Sequence, residues 1–434
     1  MGDQSIWAIV VSLGLFLLTY CGVLVRVSHR VILSVAGAAA MIVLGSWLGF
    51  YDAHHAIRHV DFDTITLLLG MMILVELLRA PGVFDAVVLR VAKRTAGRQL
   101  WLLVGLGAVT FLVSMMLDNV TTLVIIAPIT VSIADLLGIS AIPLLMTEVL
   151  LANIGGVATL IGDPPNILLG SAAGYGFMDF LARAAPVALL VAIAAVVSLA
   201  VIYRRETRTR SEHPDRLAAI DPGRALTDRS AARRILIVFG ATLVMLCLHG
   251  VLGLPPGLVV LGGACAALLW MRPGFDQVLK RIRWDMLIFL MALFIVSGGV
   301  AASGALSSVG FWLARLSIAN PYLAVIGVLW ATALMSGVVS SIPLAIALIP
   351  VLQVAAGEGP MGGLLWWGLV FGLGFGASLT PLGSSANAVI MDVSEAFAAR
   401  LSFRAWARGG TVVGLVGCVV ATIALLLAVR VGLV

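Results

Sequence analysis

Charge is what this sequence has least of. Only 11% of its 434 residues are Asp, Glu, Lys or Arg, 61% are hydrophobic, and the mean hydropathy is +1.13. Soluble domains carry roughly 25% charged residues, so a water-facing globule is excluded. Short strands of alternating apolar and polar residues are missing, which excludes a transmembrane barrel. Zinc-hydrolase helix motifs, nucleophile elbows and phosphate-binding loops are missing as well. With them go a membrane hydrolase and an ATP-driven pump, and no enzyme activity or cofactor is expected. The cysteines Cys21, Cys247, Cys265 and Cys418 sit in apolar segments without metal-ligand spacing, so they are expected to be buried free thiols. The net charge of +6 is spread over short loops and gives no reason to expect nucleic acid. Met1 to Ser5 carry no basic residue, and the apolar run Ile6–Val25 exceeds the core of a signal peptide. We expect it to be a first span.

What is present are apolar runs long enough to cross a bilayer, and they occur as a duplicate. Shifting the chain by 222 residues lays Asp63 on Asp285, Gly82 on Gly304, Gly105 on Gly327, Ser114 on Ser336 and Pro128 on Pro350. One residue of adjustment then pairs Gly155, Thr159, Gly162 and Asn166 with Gly376, Thr380, Gly383 and Asn387. The first half has spans near 6–25, 30–50, 63–79, 143–170 and 184–203, an amphipathic stretch at 82–95 and a long apolar segment at 100–137. The second repeats them at 235–250, 253–271, 284–302, 364–390 and 408–429, with 305–318 and 321–353 in the corresponding places.

Charge decides how 100–137 runs. If it folds back as a hairpin, all but four of the 27 Lys and Arg fall on one side, the exceptions being Arg58, Arg183, Arg315 and Arg430. That side is the cytoplasm. Each half then makes five crossings, so the halves are inverted. The expected fold is an all-α polytopic membrane protein of two inverted repeats of five spans, each with a re-entrant hairpin and a broken helix. It would lie in the inner membrane with both termini outside.

Two constellations carry chemistry. Gly155–Asn166, with Asp163-Pro164-Pro165, cannot remain one helix, because the prolines remove donors and push Asp163 from the helical region. Its counterpart runs from Gly376 to Asn387, and freed carbonyls, Thr159, Asn166, Ser378, Thr380, Ser384 and Asn387 are expected to bind substrate. The hairpin tips add Asp118, Asn119 and Thr121 from the first half and Ser340 and Ser341 from the second. Asp118 also reads as a helix cap. An intramembrane carboxyl is a functional candidate, and Asp118 and Asp163 are assigned to proton coupling, since burial favours the neutral form. Glu76 and Glu148 are weaker candidates, each a partner for a loop arginine. The cluster His54, His55 and His59 reads as an outer loop titrating in solvent.

The run Asp118-Asn119-Val120-Thr121-Thr122, the Gly155-Gly156 pair and Gly162-Asp163-Pro164-Pro165-Asn166 resemble the ion transporter superfamily. So do Trp284-Asp285 and Thr380–Asn387. The branch they resemble most holds the arsenite–antimonite efflux permeases and the melanosomal pink-eyed-dilution protein, and the likeness spans about Phe62 to Leu401. It implies a scaffold at 1–99 and 235–320, a transport domain at 100–203 and 321–434 and a cytoplasmic linker at 204–234. The implied movement is elevator-like, often in a dimer, and some arsenite systems of this kind dock an ATPase subunit on the cytoplasmic side. One departure stands out: related chains often repeat Asp-Asn at the second tip, where this one has Ser340-Ser341.

Ser, Thr and Asn suit arsenite or antimonite, which are neutral trihydroxy acids at neutral pH. Proton-coupled efflux of these small inorganic solutes is therefore the first reading. Sodium–proton exchange needs paired carboxylates and ranks second. A citrate-like carboxylate ranks third, because Asp118 would repel an anion. A receptor that transports nothing is the reading from another class.

Overall fold

The computed structural model describes residues 3–25, 29–208, 211, 214–219, 221–358, 362–397 and 401–431, and these are helical with no strand among them. The first repeat contains α1 (Asp3–Val25), α2 (Arg30–Leu48), the short α3 (Ala53–His59), α4 (Phe62–Arg79) and α5 (Val83–Arg94). It continues through α6 (Gln99–Ser114), α7 (Asn119–Leu137), α8 (Ile142–Val157) and α9 (Pro164–Ala173). The brief α10 (Phe177–Asp179) then passes through a π turn at Phe180–Ala184 into α11 (Ala185–Ile202). The linker holds α12 (Arg204–Arg208), α13 (Pro214–Ala218) and a 3-10 turn at Pro222–Ala225. The second repeat begins with α14 (Arg229–Leu252), α15 (Pro256–Met271), α16 (Phe275–Arg281), α17 (Trp284–Ala302) and α18 (Ser307–Ala319). It ends with α19 (Pro321–Ser336), α20 (Ser341–Glu358), α21 (Gly362–Gly376), α22 (Ser385–Ala396) and α23 (Phe403–Val431).

The segment 100–137 is a re-entrant hairpin. Its first leg, α6, has 16 residues, about 24 Å of helix, and its second, α7, has 19. Asp118 stops the turn-around by accepting from the Thr121 N–H as the cap of α7. Gly138, at φ 66°, closes that helix in a left-handed conformation that a side chain would strain. The second hairpin is formed by α19, also of 16 residues, and α20. Each hairpin is cradled by the amphipathic helix before it: α5 packs on α6 and α7, and α18 on α19 and α20. α4 and α5 meet at 59°.

The repeats interlock. α4 packs on α15 and α17 on α2, so each repeat's third span is covered by the other repeat. Nearer the centre, α22 lies on α7 and α20 on α9. The centre of the molecule is therefore assembled from residues of opposite repeats, far apart in the sequence.

Two expectations need correction, and two short helices are new. The linker is shorter than 204–234, because Asp228 accepts from the N–H groups of Ser230 and Ala231 and starts α14 there. The short helices α3 and α16 were not expected. Only Cys418 is buried in protein, whereas Cys21 and Cys265 are exposed and Cys247 is intermediate. An apolar segment in such a fold has one face on its neighbours and one on lipid, so apolar surroundings in sequence do not imply burial.

Candidate functional site

Both helix breaks are built the same way. Prolines at the start of α9 cost no hydrogen bond, because the first N–H groups of a helix have no partner within it. Asp163 before them is extended, at φ −145° and ψ 136°. The carbonyls released by the break are gathered by one amide: Asn166 Nδ2 donates to Gly156 O at 2.8 Å and to Thr159 O at 2.8 Å. Asn387 Nδ2 does the same with Ala377 O at 2.8 Å and Thr380 O at 2.9 Å. Thr159 donates to Met115 O at the first tip and Thr380 to Gly337 O at the second. Ser114 donates to Ala152 O and Ser336 to Leu373 O, each at 2.8 Å. The duplication seen in the sequence thus recurs bond by bond.

These bonds hold tips and breaks against one another around a single cleft. α7, α9, α20 and α22 all begin at it. Asp118, Asn119, Asp163, Pro164, Ser340, Ser341, Ser384 and Ser385 line it, together with Arg30 and Arg283. The space at the tips is about 40 Å³. It adjoins a wider one of about 170 Å³ that shares Asp118, Pro164 and Arg283 and adds Thr121, Glu76, Arg79 and Arg281. Four helix amino ends aimed at one volume bring unpaired N–H groups and positive dipole ends to it.

Electrostatically the cleft is mixed. Arg283 Nη1 lies 3.6 Å from Asp118 Oδ1, and Arg30 Nη2 lies 2.7 Å from Asp285 Oδ2. The Arg30 guanidinium also sits 5.5 Å from the centre of the Phe289 ring. Arg281, the last residue of α16, takes Glu76 at 2.8 Å, so that carboxylate is engaged by an arginine of the second repeat. Of the side chains lining the cleft, the carboxylates Asp118 and Asp163 come from the first repeat and the serine hydroxyls from the second.

The residues expected to bind substrate divide into two sets. Asn119, Ser340, Ser341 and Ser384 line the cleft, and Thr121 lies beside it, donating to Asp118 Oδ2 at 2.5 Å. Thr159, Asn166, Thr380 and Asn387 are turned to backbone carbonyls, as described above. Ser378 takes the Asn153 amide at 3.4 Å.

Three residues escaped the sequence reading. Arg30 and Arg283 looked like ordinary loop charges, and only their position at the very start of a span distinguished them. Asn153 joins the repeats, donating to Asn387 Oδ1 at 2.9 Å from a fully buried position. An amide in an apolar run just before Gly155-Gly156 was its signal. Asn153→Ala leaves the Asn387 carbonyl oxygen without a donor, and is expected to lower stability by about 1–3 kcal/mol. Thermal unfolding in detergent checks this, and an unchanged midpoint would refute it.

The chain matches a family model described as CitMHS, citrate transporter, over residues 20–372. It is 34% identical over 421 residues to an uncharacterized transporter of Mycobacterium tuberculosis, covering 95% of this chain and 97% of the relative. The magnetosome protein MamN of Magnetospirillum gryphiswaldense is 29% identical over 377 residues, covering 86% of this chain and 85% of that protein. Among solved structures, the YdaH transporter of Alcanivorax borkumensis is similar with a TM-score of 0.62 and 15% identity, covering 93% of this chain and 99% of that one. At that identity the likeness speaks for the fold alone. Inverted repeats around a central cleft and a family match over most of the chain lead to one conclusion: this protein is not an enzyme but a membrane transporter, and it belongs to the citrate transporter family.

Proposed function

We propose that this protein carries a small di- or tricarboxylate anion by secondary active transport, coupled to a cation. The observation that carries the reading is the convergence of four helix amino ends with Arg30 and Arg283 on one cleft. Helix ends stabilise anions, and a guanidinium grips a carboxylate with a planar fork of donors. Ser340, Ser341, Ser384 and Ser385 supply hydroxyl donors for further oxygens. Asp118, which would otherwise repel an anion, has Arg283 beside it. Asp163 forms no ion pair among the described residues, and we assign the coupling ion, a proton or sodium, to it. The description of the family as citrate transporters agrees.

Efflux of arsenite as a neutral acid, preferred from sequence alone, draws support from the serine face only. A neutral solute leaves the four helix ends nothing to neutralise, so it ranks second, and sodium–proton exchange ranks third. We further assign residues 100–203 and 321–434 to a unit that moves as an elevator against 1–99 and 235–320, with α5 and α18 as its arms. On this reading the protein lies in the inner membrane with both termini outside. The cleft, flanked by Arg79, Arg281 and Arg283, then opens to the cytoplasm.

Purified protein in liposomes is expected to take up labelled citrate or succinate saturably and to leave arsenite where it is. Arsenite flux without carboxylate flux would overturn the reading, and no flux of either from correctly inserted protein would favour a receptor.

A further inference from the structure

One carboxyl is left out of the cleft. Glu148, on α8, is 0% exposed. Thr130 on α7 donates to its Oε1, while its Oε2 is buried and reaches no partner. Asn119, close to the same face of α7 as Thr130, lies at the cleft, with Thr122 between them in sequence. The Thr122 hydroxyl is likewise buried without a partner. Glu148, held by Thr130, thus lies about 16 Å along α7 from the cleft, with the apolar Leu123, Ile125, Ile126 and Ala127 buried between Thr122 and Thr130.

No cation accompanies it. α8 packs on α6, α7, α11, α21, α22 and α23. α6, α11 and α21 carry no charged side chain; α7 carries Asp135, α22 Asp392 and Glu395, and α23 Arg404, Arg408 and Arg430. None of these forms an ion pair with Glu148 among the described residues. An ionised carboxylate with a bare oxygen in such a place is very costly, and a carboxyl serving only as a cross-link would have both oxygens satisfied.

We propose that Glu148 is a proton-binding site inside the transport domain, distinct from the cleft, and that its loading sets the pH dependence of transport. The carboxylate takes a proton from one aqueous side to become the neutral acid, the domain moves without that charge, and the proton leaves on the other side. The coupling role rests on the carboxylate-transport reading above, whereas the proton site does not.

The test uses the full chain, wild type and Glu148→Gln, in two assays. In liposomes with an imposed pH gradient, the Gln variant is expected to lose at least tenfold of gradient-driven citrate uptake, and its remaining exchange has a flat pH profile. Infrared difference spectroscopy is expected to show a protonated-carboxyl band in wild type that is missing in the variant. A wild-type pH profile in the variant overturns the coupling role and leaves the pH dependence to Asp163. If neither protein moves any carboxylate, the transport reading fails while the infrared band still decides the site. An identical band in both proteins overturns the site. If the Gln variant does not fold, Thr130→Val, which removes the donor to Glu148, is expected to displace the band's pH midpoint, and an unmoved midpoint refutes the proposal.

Discussion

Arg283→Gln is expected to lower carboxylate uptake by about 10- to 100-fold while the protein still reaches the membrane. Two losses combine. The substrate loses a guanidinium, and hydrogen bonds to charged groups contribute about 1.5–3 kcal/mol, which is one to two powers of ten. Asp118 also loses its partner at 3.6 Å and then faces the anion with its charge uncompensated. The pair is 30% and 22% exposed, so solvent screens it, and the upper end of the range is reached only when substrate closes the site. Arg283→Lys keeps the charge but not the planar fork, and a loss of roughly tenfold is expected. The diagnostic variant is Arg283→Gln with Asp118→Asn, in which the repulsion is gone. It is expected to regain part of the rate, so the two substitutions are not additive. Initial rates at sub-saturating citrate measure all three. A wild-type rate in Arg283→Gln would remove the arginine from the site and return the serine face, and a neutral solute, to first place.

The ranking of substrates turned on those arginines, and the reason they were not legible is physical. The breaks and tips were readable because Gly, Pro, Asp and Ser at membrane depth have backbone consequences that can be worked out locally. Two consecutive prolines break a helix whatever surrounds them, so Asp163-Pro164-Pro165 announced its own geometry. Arg30 and Arg283 have no such local consequence. They reach the cleft because α2 of one repeat packs on α17 of the other, which brings Arg30 to Asp285 across 255 residues. Asp118 was therefore seen without its counter-charge, and an anion was placed last. The backbone partners of Asn166 and Asn387 were hidden for a related reason. Matched asparagines at matched breaks read as ligands, but each has a run of freed carbonyls within reach of its own amide.

Alanine in place of Gly162 or Gly383 tests the duplicated architecture itself. A Cβ at Gly162 would lie 2.6 Å from Gly156 O and 2.8 Å from Ser114 O. At Gly383 the corresponding distances are 2.5 Å to Ala377 O and 2.8 Å to Ser336 O. The first oxygen of each pair is the one that Asn166 or Asn387 holds to fix the break. The second belongs to the last residue of a hairpin leg, so the methyl group pushes break and tip apart at once. Overpacking of this kind costs about 1–3 kcal/mol, and with backbone on both sides no flexible side chain can yield. We expect each variant to lose roughly 100-fold in uptake, the equivalent of about 3 kcal/mol at the site. Gly49→Ala is the control: it is strained at φ 75° but has nothing within 4 Å, so about 1 kcal/mol of stability is lost and uptake changes by no more than about twofold. Uptake measured beside membrane abundance separates the cases. Losses of similar size at 162 and 383 follow if both repeats build the site. A large loss at one position with near-normal uptake at the other would mean that a single repeat holds the substrate, and the convergence of four helix ends would then have to be explained by packing alone.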